Sequence, residues 1–401
     1  MQNWSKIKGS KGAIFVVLAL LLATQAALAS DAPLTPMAAL ERLLSAEKLQ
    51  EEWFSPLVLQ QITLAQLEQI IAQLTGNLGA FQGVSESGST LLALYERGEI
   101  PTTIGLDDQG RIATILFQPP RLGAVGLDEA TAGFGELPGS VSLIVLSNQG
   151  ELASIEPDLP LAVGSAFKLA VLAAAETKVR HGELAWDSVV RFDDAWRSLP
   201  SGMLQEWPAG SPLTLHTLAA LMISISDNTA TDALISIVGR EFVELFSPRN
   251  APFLTTREAF VLKNPQNAET LERFRGADAA GRRAILEEVN ELPLPDPLAF
   301  ANGPVALDVE WYLTGRELCG LMAAVRHLDL VTINPGLADP GDWSRVAFKG
   351  GSEPGVLNLT TWLERGDDFY CVSATWNDKA ALDELRFYSL YSSLIEALKT
   401  L

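Results

Sequence analysis

Ser165 and Lys168 stand three positions apart in LAVGSAFKLAVLAAA (Leu161–Ala175), where Gly164 and Ser165 precede a long apolar run carrying one early cation. Positions i and i+3 are neighbours on one helical face, so the hydroxyl and the amine meet if the run is a helix. Two readings fit that pair. One is a capping serine followed by a lysine that snorkels out of a buried helix. The other is a nucleophile and its base: a free serine hydroxyl is a weak nucleophile and needs a base within hydrogen-bond reach. Spacing alone does not choose, because Ser5/Lys8 and Ser45/Lys48 repeat it.

Two further groups narrow the choice. Ser226, Asp227 and Asn228 form an S-D-N between two apolar helical stretches, a pattern that by itself reads as a capping turn. In AFKGGSEPG (Ala347–Gly355), Lys349 sits on an apolar strand before Gly350 and Gly351, which allow another group to approach the backbone closely. By itself Lys349 reads as a solvated strand end. Together the three elements supply a nucleophile, a candidate base and a second cation, and a desolvated pocket holding two lysines depresses the pKa of one of them.

The elements that must position these residues are legible from periodicity. Pro36–Leu74 reads as helical, with Thr63 as a cap. Short strands follow in STLLALYERG, IPTTIGLDDQG and RIATILFQPP, turning at Asp107–Gly110. Gln118–Ser140 is rich in Gly and Pro, lacks a period and reads as a linker. Val141–Ser147 and ELASIEP make a strand pair before the Ser165 helix. A mostly helical body runs to about Val325, three strands return between Arg345 and Asp378, and a last helix runs from Ala380. The expected fold class is α+β, with domains at 31–119 (helix plus antiparallel sheet) and 141–401 (antiparallel sheet flanked by helices), joined by 120–140.

The order S-x-x-K, S-D-N, K-x-G resembles the serine β-lactamase and penicillin-binding-protein superfamily over Ser140–Leu401, and the Ser165-to-Ser226 spacing resembles class A enzymes. With the preceding domain, including WFSP (Trp53–Pro56) and FQGV (Phe81–Val84), the chain is similar to two-domain serine hydrolases typified by the cephalosporin esterase of clavulanic-acid biosynthesis and the mycobacterial LpqF proteins. That resemblance implies a steroid-isomerase/NTF2-like first domain and a class A β-lactamase-like second domain. It implies Ser165 as nucleophile, Lys168 as base, and Ser226 and Lys349 as a proton relay to the leaving group. Asn228, Gly350, Gly351 and Ser352 would contact substrate, with the N–H groups of Ser165 and Ser352 as an oxyanion hole.

The chain departs from that pattern in two places. Gly350 replaces the K-T-G threonine, whose hydroxyl helps hold a substrate carboxylate, and Ser352 is the available substitute. No E-x-x-L-N follows Asn228; Glu258 in TTREAF is the candidate deacylation base, a helix-terminus carboxylate being the alternative. Asp232 reads as local support. The charged segment between Asn264 and Asn290 lengthens the chain ahead of the strand lysine and is expected to reshape one wall of the cleft. Trp186, Trp196 and Trp207 read as core or as the lining of an apolar acyl pocket. The expected activity is that of an esterase or weak β-lactamase working through an acyl-enzyme. The alternatives are a D-alanyl-D-alanine peptidase, or a binding protein that retains the fold without turnover.

Composition bounds the rest. The chain has 401 residues, 48% of them hydrophobic, with a net charge of −20, which repels phosphate backbones and anionic lipid. Lys6, Lys8 and Lys11, the apolar Ala13–Ala23 and the small-x-small Ala27–Ala29 read as a signal peptide over 1–29, so export to the periplasm or medium is expected, an uncleaved anchor being the alternative. Cys319 and Cys371 fit one disulfide or two buried thiols. His181, His216 and His327 have no metal-ligand spacing, and no metal or cofactor is expected. The expected partner is a small-molecule ester, a β-lactam or a cell-wall peptide.

Overall fold

The computed structural model describes residues 34–401 apart from 77, 88, 89, 124, 301 and 302. The expected signal peptide lies outside the described residues. The chain divides into two compact units. The first holds the described residues up to Ile71 with Gly83–Ala93 and Thr102–Leu116; the second holds Ala72–Gln82, Leu94–Pro101 and Phe117–Leu401.

Three helices open the chain. Thr35 caps α1 (Pro36–Ser45) by accepting from Ala38 N at 3.2 Å, and Pro36 occupies the first turn, where a missing N–H costs nothing. Ser55 caps α2 (Pro56–Gln61) in the same way. Thr63 and Gln66 exchange bonds at the head of α3 (Leu64–Thr75), at 2.9 and 3.3 Å. Strands β1 (Phe81–Ser87), β2 (Thr90–Tyr95), β3 (Gly98–Leu106) and β4 (Ile112–Phe117) follow in spatial order, with β5 (Arg121–Leu122) antiparallel to β3. On β2 the buried residues alternate as Leu91, Ala93 and Tyr95. At the expected turn before β4, Gly110 has φ +74° and Asp107 Oδ1 accepts from Gln109 N and Arg111 N.

The stretch read as a linker contains β5 and a helix, α4 (Leu127–Gly135), with Ala130 and Phe134 buried. Leu127, Ala130 and Phe134 have helical spacing, but the surrounding glycines and prolines mask it. Phe134 stacks edge-on against Phe387 at 5.3 Å, which makes α4 part of the second unit's core.

That unit continues with the hairpin β6 (Ser140–Ser147) and β7 (Gly150–Ile155), a short β8 (Leu161–Ala162) and α5 (Lys168–Arg180). β9 (Val189–Arg191) pairs with β10 (Pro212–Thr214). Six helices follow: α6 (Leu215–Ser224), α7 (Asn228–Val238), α8 (Arg240–Glu244), α9 (Thr256–Lys263), α10 (Ala268–Gly276) and α11 (Ala279–Asn290). β11 (Tyr312–Leu313) pairs with β8 and leads into α12 (Gly315–Val325). The chain ends with β12 (Arg345–Glu353), β13 (Val356–Arg365), β14 (Asp368–Asn377) and α13 (Glu384–Leu398).

The main sheet has the antiparallel order β12-β13-β14-β6-β7. Its two faces feed two cores. Leu143 and Val145 of β6 point toward α4 and α13, while Ile144 between them joins the helical core around α5. Strands covered on both faces read as nearly continuous buried runs, as in β13, where the first eight residues are buried. The polar members of that run are satisfied internally: Asn358 Nδ2 donates to Ala374 O and Thr375 Oγ1, and Thr360 pairs with Ser373 at 3.0 Å. α5 is buried from Lys168 to Glu176, the signature of a central helix. Cys319 of α12 and Cys371 of β14 are joined as a disulfide, Cα atoms 5.9 Å apart.

Candidate active site

The approach of β12 to the head of α5 creates the site. Ser165 lies in a 3₁₀ turn, Gly164–Phe167, and α5 itself starts at Lys168, so the serine precedes the helix instead of capping it. Gly164 takes φ +49°, a conformation an L side chain rarely adopts, and so aims the next residue out of the chain path. Gly351 faces that turn. A Cβ there would fall 2.2 Å from Val163 O and 2.5 Å from the amide nitrogens of Ser165 and Ala166. Only a glycine permits this contact. A Cβ on Gly164 would lie 3.1 Å from Ser352 N, so the N–H-bearing backbones of Ser165 and Ser352 border the same spot.

Ser226 enters from the turn between α6 and α7, held at φ +58°, an unfavourable conformation for a non-glycine residue. Asp227 fixes that turn. It caps α7 by accepting from Ala230 N at 2.9 Å, and its other oxygen accepts from Met203 N and Leu204 N at 2.7 and 2.8 Å. The cap predicted for S-D-N is real, and it serves to present Ser226.

Both lysines converge on that serine. Lys168 Nζ donates to Ser226 O at 2.6 Å, to Asn228 Oδ1 at 2.7 Å and to Ser226 Oγ at 3.1 Å. Lys349 Nζ donates to Ser226 Oγ at 3.2 Å and to Gly350 O. Asn228 Nδ2 in turn donates to Leu199 O at 3.0 Å, fixing its carbonyl end toward Lys168. Both ammonium groups are buried, Lys168 completely. Burial, followed by the charge of Lys349, holds Lys168 well below the usual lysine range, against an opposing pull from Asp232 and Asp227. Burial alone brings Lys349 down to about 7. Two cations on one hydroxyl in a buried place repel, so loss of one proton is easier here than in water.

Ser165, Ser226, Lys349, Gly350, Gly351 and Ser352 line one cleft of about 340 Å³, whose apolar wall includes Ile223, Ile225 and Phe348. Ser201, which sequence reasoning missed, borders it too and donates to Ser226 O at 2.6 Å. Nothing in its local sequence signals that position, which results from Asp227 drawing in the Met203–Leu204 backbone.

Other candidates lie elsewhere. Both oxygens of Glu258 are occupied: Oε1 accepts from Arg240 at 2.6 Å and Asn290 at 3.0 Å, Oε2 from Arg240 and Thr255 N at 2.9 Å, completing a capping box on α9. It is fully buried and lines a different cavity from Ser165, so the geometry matches the helix-terminus alternative. Asp232 accepts from Thr256 N, Thr256 Oγ1 and Arg257 N, and burial pushes its carboxyl up to about 7. The segment expected to reshape the cleft instead forms α10 and α11, which bury Leu271, Phe274, Ile285, Leu286 and Val289 in the helical core. Trp186, Trp196 and Trp207 pack against that core and do not line the Ser165 cleft.

Residues 127–270 match the model of the beta-lactamase enzyme family (Beta-lactamase2), a segment containing Ser165, Lys168, Ser226 and Asn228. That segment is β-lactamase-like. The matched segment stops short of Lys349. Among solved structures, the β-lactamase of Sphaerobacter thermophilus is similar at 20% identity, over 68% of this chain and 94% of that one, with a TM-score of 0.48. A β-lactamase of Chitinophaga pinensis is similar at 16% identity over 69% and 98%, TM-score 0.47. PBP-A is similar at 16% identity over 69% and 96%, TM-score 0.47. No curated protein matches the chain.

Proposed function

We propose that this protein is an exported serine hydrolase that forms an acyl-enzyme on Ser165 and releases it from a small-molecule ester faster than from a β-lactam. The observation that carries this reading is Ser226 Oγ held between Lys168 Nζ and Lys349 Nζ at the mouth of the Ser165 cleft. In the forward step Ser165 Oγ attacks the carbonyl carbon and its proton passes to neutral Lys168. The oxyanion forms against the N–H groups of Ser165 and Ser352. Ser226 then delivers a proton to the leaving group and is recharged from Lys349. Asn228 orients Lys168, and Gly350, Gly351 and Ser352 form the wall against which the substrate lies.

Two features favour esters over β-lactams. Gly350 offers no hydroxyl for a ring carboxylate, and Glu258 is committed to Arg240, Thr255 and Asn290 and has no free oxygen for activating water. Once Lys168 has returned its proton through Ser226 to Lys349, a small acyl group leaves space for water to reach Lys168 in its basic form. On this reading residues 1–29 are a signal peptide and the protein works in the periplasm or medium. The first domain, 31–119, is of the steroid-isomerase/NTF2-like type, a proposal supported by three helices followed by a strand meander. The hydrolase domain is 141–401, with α4 of 120–140 packed on it.

The test uses p-nitrophenyl acetate, a chromogenic cephalosporin and a fluorescent penicillin on the mature protein and on Ser165→Ala, followed by turnover and intact mass. Ester turnover with a persisting penicillin adduct, both abolished by Ser165→Ala, is the expected result. Rapid cephalosporin hydrolysis would reassign the protein as a β-lactamase. Absence of both adduct and serine-dependent turnover would favour a binding protein and overturn the proposal.

A further inference from the structure

Beside the candidate oxyanion hole sits a second charged cluster that the mechanism above does not use. Lys349, Gly351 and Glu353 alternate along β12 and share its site-facing side. Glu353 is the last residue of the strand and follows Ser352 directly. Lys263, the last residue of α9, donates to both its oxygens at 2.7 and 2.9 Å, and the same ammonium also pairs with Glu310 Oε1. The Lys263 and Glu310 side chains are 3% and 1% exposed, and Glu310 Oε2 is buried without a hydrogen-bond partner. Three elements distant in sequence thus meet at the end of the strand that carries Lys349.

The other end of α9 reaches the S-D-N helix. Thr256 donates to Ser198 Oγ at 2.8 Å and Asp232 Oδ1 at 2.9 Å. Asn228, which begins α7 one turn before Asp232, holds Lys168. One eight-residue helix therefore ties the turn bearing Ser226 to the strand bearing Lys349 and Ser352.

We propose that Glu353, clamped by Lys263 and Glu310, is the positioning residue that holds the Ser352 N–H against the Ser165 turn, and that the clamp is neutral only while its two carboxylates retain one proton. The inference rests on the acyl-enzyme reading for its catalytic consequence. The charge count carries it: one buried cation faces two carboxylates, Glu310 buried and Glu353 22% exposed, and a net negative charge beside the Ser352 amide opposes an oxyanion forming against it. The other charged or titratable groups near the cluster are Asp308, bidentate with Arg275 at 2.7 Å, and Tyr312, whose hydroxyl donates to Leu307 O. Arg275 is a further cation, but it is already paired with Asp308 and Glu272. Consistent with this, burial first and the Glu310 charge second push Glu353 up to about 8, against the pull of Lys263.

The sign follows from linkage. A carboxyl raised in the folded state is protonated at neutral pH and ionises as pH climbs through about 8; the stability its proton supplies is lost between the ordinary value of 4.5 and about 8 and is gone above that. Activity then loses one proton at Lys349 and a second at Glu353. The limiting slope of log kcat/KM on the alkaline side is about −2 in the wild type and about −1 in Glu353→Gln. Glu310→Gln also gives about −1, because Lys263 and Glu353 then balance and Glu353 stays ionised throughout.

Three readouts separate the outcomes. Turnover of p-nitrophenyl acetate and first-order labelling of Ser165 by a fluorophosphonate are followed from pH 6 to 10, the second needing no deacylation. The melting temperature should fall more steeply in the wild type than in either variant between pH 6 and about 8, where folded Glu353 still holds its proton and the unfolded chain does not, and it reports on the cluster whether or not any substrate turns over. A common reduction of slope in both variants, with the flatter melting profile, is the expected result. Wild-type and variant profiles that coincide would overturn the positioning role while Ser165 labelling keeps the hydrolase reading intact. No Ser165-dependent labelling in the wild type would overturn the hydrolase reading, and the positioning role of Glu353 with it.

Discussion

Ser226 and the two lysines show how chemistry is set by single residues. On the proposed mechanism Lys168 acts as a base only when neutral and Lys349 as a proton source only when charged; burial lowers both, and the charge of Lys349 lowers Lys168 further. For these amines the folded pKa is depressed, so activity rises as pH climbs through the value of Lys168 and falls above about 7 as Lys349 discharges. Lys349→Met should lower kcat/KM by about 10² to 10³ and erase the inflection near 7, since Ser226 then has no proton source with which to protonate the leaving group. A pH–rate profile of the variant checks both.

At the scale of elements, β12 and the 3₁₀ turn before α5 fit only because Gly351 has no side chain. Gly351→Ala puts a methyl within 2.5 Å of three backbone atoms of the Ser165 turn, none of which is a flexible side-chain end. The strand must move away, and a displacement of this order at a reacting centre costs about 10²-fold in rate. We expect kcat to fall by about that factor with KM little changed, and the melting temperature to drop by a few degrees; steady-state kinetics and a thermal melt measure them. Elements also explain what the sequence left hidden. S-x-x-K, S-D-N and K-G-G were legible because each is a local string, whereas the occupancy of Glu258 depends on Arg240 and Asn290, eighteen residues before it and thirty-two after it. α4 was missed because glycines and prolines around Leu127, Ala130 and Phe134 dominate its composition, and burial against Phe387 outweighs that local signal.

For the whole molecule, the Cys319–Cys371 disulfide ties α12 to the central strand β14 across 52 residues of chain. Closing a loop of that size stabilises by about 2–4 kcal/mol, so reduction, or the pair Cys319→Ala/Cys371→Ala, should lower the melting temperature by roughly 4–15 °C. The cysteines lie outside the Ser165 cleft, so Ser165 labelling at 25 °C should persist after reduction, measured on the same samples. A labelling rate that collapsed while the fold remained would show that the bridge also positions the site.

By itself, the sequence determined the residue types that the proposed chemistry uses and the order in which they occur, together with the alternation of helix and strand that carries them. Those are properties of adjacent residues, and hydrophobic periods and caps express them directly. Only the tertiary structure decided which of those side chains meet. It brought both lysines to Ser226, closed the disulfide that the sequence left open, gave Glu258 to the cap of α9, and set Glu353 with Lys263 and Glu310 at the end of β12. The physical reason is that burial and pairing energies come from groups distant along the chain, and such groups leave no mark in any one stretch of it.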